Sequence, residues 1–478
     1  MKKTFITVAV VVILAFAMIV SASAASFEHL ADDLKALGLF QGSDAGYELE
    51  RAPNRGEALV MLIRLLGLEE EALAFEGDSP FTDVPAWLSP YVAYAFENGL
   101  TTGTSDTTFS NSNACNAQMY STFVLRALGY SDAAGGDFAY ADAVDFGKKV
   151  GIIDDLLADG DFLRDQMVAV SYLALLAAPK GGEFECLLEK LVDSEAVAGG
   201  AASALISKWA LFAEFDEIIE KLINEPAIAA SVKAGIDPGG MGALLAAAGM
   251  DLNIGIDADL ALIRGDNMSA AIDITMARTD DSQEIGIYLK DGNIYANIGD
   301  DKITVDLITA AAEAGVDPGE MLSMISFIDV SMFSHFSYVI SNIAKSADGS
   351  LTVYTIKPAA GLVDTALDML INLLLDAAIG DRLPAGMDLG DMDVSLDRFD
   401  MKFYVDSDGM LNNCLIDVEA SVGLDMSGLA IKVTLKISCE ADITAVGDDV
   451  KVTFPDDLDA YELRSIDELT AAFPLSRG

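Results

Sequence analysis

Residues Phe81–Tyr130 read FTDVPAWLSPYVAYAFENGLTTGTSDTTFSNSNACNAQMYSTFVLRALGY, and the punctuation of this stretch decides the first half of the chain. Val92, Ala95 and Phe96 fall at i, i+3 and i+4, which places one apolar stripe on a short helix. Asn98-Gly99 supplies the stop, because glycine takes the left-handed position after a last turn without steric cost. Phe123, Val124, Leu125 and Leu128 repeat the helical period, and Gly129 ends that helix in the same way. The unit is helix, glycine turn, loop, helix. It is too small to bury much surface alone, so it predicts an array of similar units.

Two further units lie on either side. Phe27–Leu68 carries a helix stripe at Ala31, Leu34 and Leu37, the turn Gly38-Leu39-Phe40-x-Gly42, and a second helix opened by Asn54-Arg55-Gly56-Glu57. Phe138–Pro179 has Val150-Gly151-Ile152-Ile153 as its turn and Leu163-Arg164-Asp165-Gln166 opening its last helix. The opening Phe81, Asp83, Val84, Pro85, Trp87, the Gly99-Leu100…Gly103 turn, Phe109 and the closing Leu125-Arg126-Ala127-Leu128-Gly129-Tyr130 together resemble the S-layer homology (SLH) repeat. Three repeats, at 27–68, 79–130 and 137–179, are the usual number in that family.

The resemblance implies a pseudo-threefold helical bundle. It also implies that the arginine of a Thr-Arg-Ala-Glu-like tetrad helps to bind an anionic, pyruvylated secondary cell-wall polysaccharide in grooves between repeats. Asn54-Arg55-Gly56-Glu57 matches with Asn for Thr and Gly for Ala, the third unit keeps Arg164, and the second has Ala117 where the arginine belongs. At most two grooves then keep their cation. Arg55, Glu57 and Arg164, with Asp83 and Trp87 of the opening motif, are the candidate polymer-binding residues. Intradomain ion pairs or helix caps are the alternative for the arginines, and a structural role for Asp83 and Trp87. Phe27–Lys180 holds 9 basic and 24 acidic residues, so a fixed guanidinium would be a local exception in a repulsive field. Arginine also meets carboxylates bidentately, which suits a pyruvyl ketal.

Residues 1–24 have a basic start, an apolar run from Phe5 to Val20 and small residues at Ala22 and Ala24, the pattern of a secretory signal peptide. No later segment reads as membrane-spanning, since even Leu362–Ile379 carries Asp364, Asp368, Asn372 and Asp376. At 478 residues the chain has room for about three domains. A net charge of −47 disfavours nucleic acid, whose affinity rests on clustered Lys and Arg. A calcium-dependent role stays open, although Asp406–Gly409, DSDG, lacks the spacing of a calcium loop and reads as a hairpin turn. Of the four cysteines, Cys115 and Cys186 sit in separate helical segments. Cys414 and Cys439 are symmetric about a turn at Leu424–Gly428 and are either bonded or packed as small hydrophobes.

From Gly181 the composition changes. Residues 181–249 read as a helical connecting region, with Leu205, Trp209, Phe212 and Phe215 near one helix face. Asp237-Pro238 and Asp317-Pro318, in matching octapeptides, mark helix starts. Past Met250 the period becomes two, which predicts strands at Leu252–Leu262, Ala270–Met276, Ile285–Leu289, Ile294–Ile298, Ile303–Leu307, Leu351–Ile356, Phe399–Val405, Cys414–Val422, Ile431–Cys439 and Val450–Phe454. Lys290-Asp-Gly-Asn293 and Gly299-Asp-Asp-Lys302 are turn signals. One apolar sheet face needs a cover, and helices at Met321–Ala344 and Leu362–Ile379 are the candidates. The pattern over 250–463, followed by a tail at 464–478, is similar to the LolA and LppX group of half-barrels, in which a cavity between sheet and helices accepts acyl chains. Met321, Met324, Phe327, Ile328, Met332 and Phe336 are the residues that would line it, with an ordinary core as the alternative reading.

Chemistry-bearing motifs are thin. The two histidines, His29 and His335, lie in no zinc motif, and there is no Cys-x-x-Cys, phosphate loop or Gly-x-Ser-x-Gly elbow. The expectation is a multidomain α+β protein, an all-α SLH bundle followed by an antiparallel half-barrel with covering helices, without catalysis, cofactor or metal. It would be secreted, held to wall polysaccharide and associated with the S-layer. Its second half would bind a lipid, lipoprotein or envelope partner, or else serve only as a structural surface element.

Overall fold

The computed structural model describes residues 27–158, 160–239, 242, 253–265, 268–277, 282–314, 338–359, 367, 393–426, 429–465 and 468–469. The first 24 residues, the signal peptide of the sequence reading, lie outside them. The chain divides into two compact units. One is formed by Ser23–Ala210 with Ser337–Ser341, and the other includes Leu211–Phe336 and Asn342–Gly478.

The first unit is helical. It contains α1 (Glu28–Ala36), α2 (Arg55–Leu65), α3 (Glu69–Leu73), α4 (Ser89–Glu97), α5 (Ala117–Ala127), α6 (Ala143–Val150), α7 (Asp155–Ala158), α8 (Arg164–Leu176) and α9 (Leu187–Asp193). The unit boundary falls inside α10 (Gly199–Asn224). The repeat is written in the backbone. α1, α4 and α6 all end on a left-handed glycine, Gly38, Gly99 and Gly151. In each the next amide reaches back five residues, Leu39 to Leu34 at 2.9 Å, Leu100 to Ala95 at 2.8 Å and Ile152 to Gly147 at 3.0 Å. These are three copies of one Schellman cap, which satisfies carbonyls that a helix end would leave orphaned. Leu30, Leu34, Val92, Ala95, Leu125 and Leu128 are fully buried, as their spacing requires. Phe96 departs from the expected stripe: it is 37% exposed and packs edge-on against Phe81.

Among the described residues the second unit is one open sheet of twelve strands, β1 (Ala227–Asp237), β2 (Ile254–Ile263), β3 (Ser269–Ala277), β4 (Ser282–Lys290), β5 (Asn293–Ile298), β6 (Asp301–Asp306), β7 (Ile340–Asp348), β8 (Leu351–Pro358), β9 (Asp393–Val405), β10 (Leu411–Met426), β11 (Leu429–Val446) and β12 (Glu462–Leu463), with α11 (Leu307–Ala314) after β6. The order is β12-β6-β5-β4-β3-β2-β1-β11-β10-β9-β8-β7. The described pairings are antiparallel apart from β12 on β6, which is parallel. The two turn signals hold. Asp291 and Gly292 both take positive φ between β4 and β5, as a type I′ turn requires. Ile298 pairs with Asp301 across the other turn. Asp406–Gly409 is likewise a hairpin turn, with Asp406 Oδ1 accepting from the amides of Asp408 and Met410 at 2.9 Å each.

Four expectations are corrected. The region 181–249 is not wholly helical, because Ala227–Asp237 is β1. That strand lies between β2 and β11 and joins the two meanders into one sheet. Residues 340–344 of the helix expected at Met321–Ala344 open β7 instead. Val450–Phe454 forms no strand; chain extension went into β11, which runs on to Val446. Met426 pairs with Leu429, a later register than a turn at 424–428 would set, so Cys414 faces Ala441 and Cys439 faces Ile416. Two residues out of register, the cysteines share a face but both are free thiols. Burial pushes Cys414 to about 12 and Cys439 to about 11. Leu367, from the other expected covering helix, is buried on Ile416, Val418 and Ala420; the rest of that helix lies outside the described residues.

Candidate functional site

The second helix of the repeats opens with Arg55 in α2, Ala117 in α5 and Arg164 in α8, an arginine in the first and third and an alanine in the second. Asn54 and Asn116 cap the first two, accepting from the amides of Glu57 and Met119 at 2.9 Å each. The Glu57 carboxylate returns to the Asn54 amide and closes a capping box.

Each arginine-bearing helix start docks on the loop of another repeat through the same pair of backbone bonds. Arg55 and Gly56 amides donate to the carbonyls of Asn113 and Asn111 at 2.9 and 3.1 Å. Arg164 and Asp165 amides donate to Arg51 and Leu49 at 2.9 and 3.1 Å. Position 113 therefore corresponds to 51, and 111 to 49. Glu48 and Ser110, one residue further back, share a positive φ of 51° and 62°.

At Arg164 the surroundings are closed. Its Nη1 donates to Glu57 at 2.8 Å, its Nε donates to the Tyr47 carbonyl at 2.8 Å, and its guanidinium lies 5.1 Å from the Phe40 ring centre. The residue is 4% exposed. Burial pushes its guanidinium down, and the Glu57 charge opposes that. Glu57 also accepts from Arg51 at 2.6 Å. Burial alone would raise the Glu57 carboxyl; the bonds from Arg51 and the Asn54 amide and the charges of Arg164 and Arg51 together hold it below its ordinary value.

At Arg55 each equivalent position has changed. Thr101 stands where Phe40 stands, Phe109 where Tyr47 stands, and Met119 where Glu57 stands. The guanidinium lies 5.1 Å from the Phe109 ring centre, with Nη2 3.5 Å from Thr101 Oγ1 and Nη1 3.7 Å from Met119 Sδ. Among the described residues no carboxylate pairs with it, and its buried Nε has no partner. Burial pushes this guanidinium below its ordinary value. The side chain lines a groove of about 200 Å³ together with Thr101, Thr102, Met119, Arg126 and Tyr140. Arg126 is held by Asp132 at 2.9 and 2.7 Å and donates to the Leu100 carbonyl at 3.1 Å. What the groove offers is a pre-placed guanidinium, threonine hydroxyls, and Tyr140, which is 47% exposed at its side. That set suits a carboxylate borne on a hydroxyl-rich ring.

The sequence-derived candidates therefore separate. Arg55 stands in a groove. Arg164, expected to do the same, is consumed by Glu57, and Glu57 faces arginines within the fold. Asp83 accepts from the amides of Phe109 and Ser110 at 2.8 and 2.7 Å and fastens that loop; these bonds hold its carboxyl below the usual range. Trp87 is 56% exposed and lies outside the groove. Met321, Met324, Phe327, Ile328, Met332 and Phe336 fall outside the described residues. Thr101, Met119, Arg126 and Tyr140 were not found from sequence. Comparing the third helical residue of the three repeats, Glu57, Met119 and Gln166, would have pointed to Met119.

In the sheet unit a shallow cleft of about 540 Å³ lies on a charged face around Gly235, Gly255, Asp237, Arg398, Glu419 and Lys436. Lys436 of β11 meets Glu419 of β10 across strands at 3.1 Å, and Arg398 meets Asp400 along β9 at 2.6 Å. No group of His, Cys, Asp and Glu among the described residues could hold a metal ion, and no helix among them is long and apolar enough to cross a membrane.

No family model matches the chain. It is similar to the middle cell wall protein of Brevibacillus brevis, 30% identical over 115 residues, which is 23% of this chain and 11% of that protein. It is similar to a cell surface protein of Thermoanaerobacter kivui, 30% identical over 192 residues, 39% of this chain and 23% of that protein. A surface layer protein of Brevibacillus choshinensis is 30% identical over 115 residues, 23% of this chain and 10% of that protein. The chain thus matches between about a tenth and a quarter of the length of these relatives. They place it at the cell surface. Among solved structures it is similar to LprF from Mycobacterium bovis, at a TM-score of 0.25 and 11% identity, covering 52% of this chain and 97% of LprF.

Proposed function

We propose that this is a non-catalytic cell-surface protein of the SLH type, held to an anionic, pyruvylated secondary cell-wall polysaccharide through the groove around Arg55. The observation that carries the reading is the uncompensated Arg55 guanidinium in a groove, beside a pseudo-equivalent Arg164 that is neutralised. A half-buried cation without a counter-charge is costly, and an incoming carboxylate removes that cost while making charge-assisted hydrogen bonds. Three Schellman-capped repeats and relatives named for the cell wall and surface layer support the same reading. In it, the open sheet binds a hydrophobic ligand or an envelope partner.

The test is sedimentation of the chain lacking residues 1–24 with purified walls. Binding to polymer-bearing walls, its loss on stripped walls and its loss in Arg55→Ala would support the reading; equal binding to stripped walls would remove it.

A second reading for the sheet unit, a structural element without a ligand, is favoured by Leu367. It is 4% exposed against Ile416, Val418 and Ala420, as in an ordinary core. Uptake of a fluorescent fatty acid by the purified chain would count against it.

A further inference from the structure

We propose that the third residue of the second helix decides which inter-repeat groove is open to an anion, and that Met119 is the specificity-determining residue that leaves the Arg55 groove available. This rests on the wall-polymer reading above and adds to it the residue that sets which groove is open.

Glu57 and Met119 occupy the same turn position in successive repeats, and each faces the first-turn arginine of another repeat. Arg164 meets Glu57 Oε1 at 2.8 Å; Arg55 meets Met119 Sδ at 3.7 Å. A thioether is a weak acceptor and carries no charge, so it fills the position without neutralising the cation. A carboxylate there fills the position and supplies the anion from within. A ring lies against each arginine at the same 5.1 Å but comes from different positions, Phe40 in one case and Phe109, the counterpart of Tyr47, in the other. What differs is the counter-charge and the bulk: Phe40 is exchanged for Thr101, and the Arg55 side opens into about 200 Å³. The third groove has Ala117 in place of an arginine and no guanidinium to offer from that position. One anion per chain follows.

Met119 also permits a clean test, because Asn116 already caps α5 by accepting from the Met119 amide. Glutamate or glutamine at 119 would complete the capping box that Asn54 and Glu57 make in the first repeat, so both variants should fold at least as well as the parent. They differ in charge. Met119→Glu should lower wall affinity by about ten- to a hundredfold, the worth of a hydrogen bond to a charged group. Met119→Gln should stay within roughly twofold on the same scale.

The experiment measures wall binding and cooperative unfolding for the chain lacking residues 1–24, for Arg55→Ala, and for the two Met119 variants. Loss of binding in Met119→Glu and Arg55→Ala, with retention in Met119→Gln, supports the proposal. Full binding by Met119→Glu while Arg55→Ala fails overturns it and leaves the wall-polymer reading standing. Full binding by Arg55→Ala removes the groove itself. Equal loss in Met119→Glu and Met119→Gln, with normal unfolding, shows that shape rather than charge decides and also overturns it.

Discussion

Replacing Glu57 by alanine separates the two arginines energetically. In the parent, Glu57 accepts from Arg164 at 2.8 Å, from Arg51 at 2.6 Å and from the Asn54 amide at 2.9 Å. The Arg164 side chain is 5% exposed, so its loss of partner strands a buried charge; breaking such a pair costs about 3–5 kcal/mol. The Arg51 side chain is 39% exposed, and a pair of that kind adds about 0–1 kcal/mol. Loss of the return bond to Asn54 adds about 0.5–1 kcal/mol more. Glu57→Ala should therefore destabilise by about 4 kcal/mol or more. Arg55→Ala should cost only about 1 kcal/mol, since it removes a ring contact and no ion pair. Urea unfolding followed by tryptophan fluorescence reads the helical unit directly: Trp87 and Trp209 are the two tryptophans of the chain, and both belong to that unit. If Glu57→Ala unfolds at the parent midpoint, or Arg55→Ala costs as much as Glu57→Ala, the assignment of Arg164 to a buried ion pair is wrong.

Asp165 is 7% exposed, accepts from the Phe27 amide at 2.8 Å, and is pushed up to about 6 by burial. Its folded value lies above the unfolded value of about 3.9. Its stabilising contribution is therefore full below about pH 4 and lost as pH rises through about 6. Asp165→Asn keeps the acceptor without the charge, and should gain about 2–3 kcal/mol over the parent at pH 7 relative to pH 4; a constant difference across that range would refute it. Gly103 has φ +73°, and a side chain there would meet Thr108 O at 2.8 Å and the Phe81 ring. Gly103→Ala should cost about 1–3 kcal/mol by the same unfolding assay, and a neutral result would contradict that turn. Cys414 and Cys439 are half-buried free thiols with raised values. They should label with iodoacetamide at least roughly a hundredfold more slowly in the folded chain than in urea, and rapid labelling would show the sheet face to be open.

The fold was legible wherever one period dominated. The glycine stops at Gly38, Gly99 and Gly151, the alternation in β2–β5 and β8–β11, and the Asp291-Gly292 turn could all be read from residue type. β1 was not, because AIAASVKAGID is rich in alanine, a strong helix former, and follows a 26-residue helix. Its alternation, Ile228, Ala230, Val232, Ala234, Ile236, counted only once β2 and β11 could pair with it. β7 was hidden in the same way inside an apolar run. For the site, the tetrad arginines could be found from sequence, but their fates could not: whether Arg55 or Arg164 has a counter-ion depends on a residue of another repeat more than sixty positions away. Trp87 carried the family resemblance, yet the groove is lined by Tyr140.

Arg55, and not Arg164, is proposed to meet the wall polymer. The most direct measurement is the Nε–Hε region of the ¹⁵N-arginine-labelled chain, titrated with solubilised wall polymer, with Arg55→Lys and Arg164→Lys used to assign the two resonances. The account predicts a saturable shift of the Arg55 resonance and a stationary Arg164 resonance. A moving Arg164 with a stationary Arg55 would contradict it.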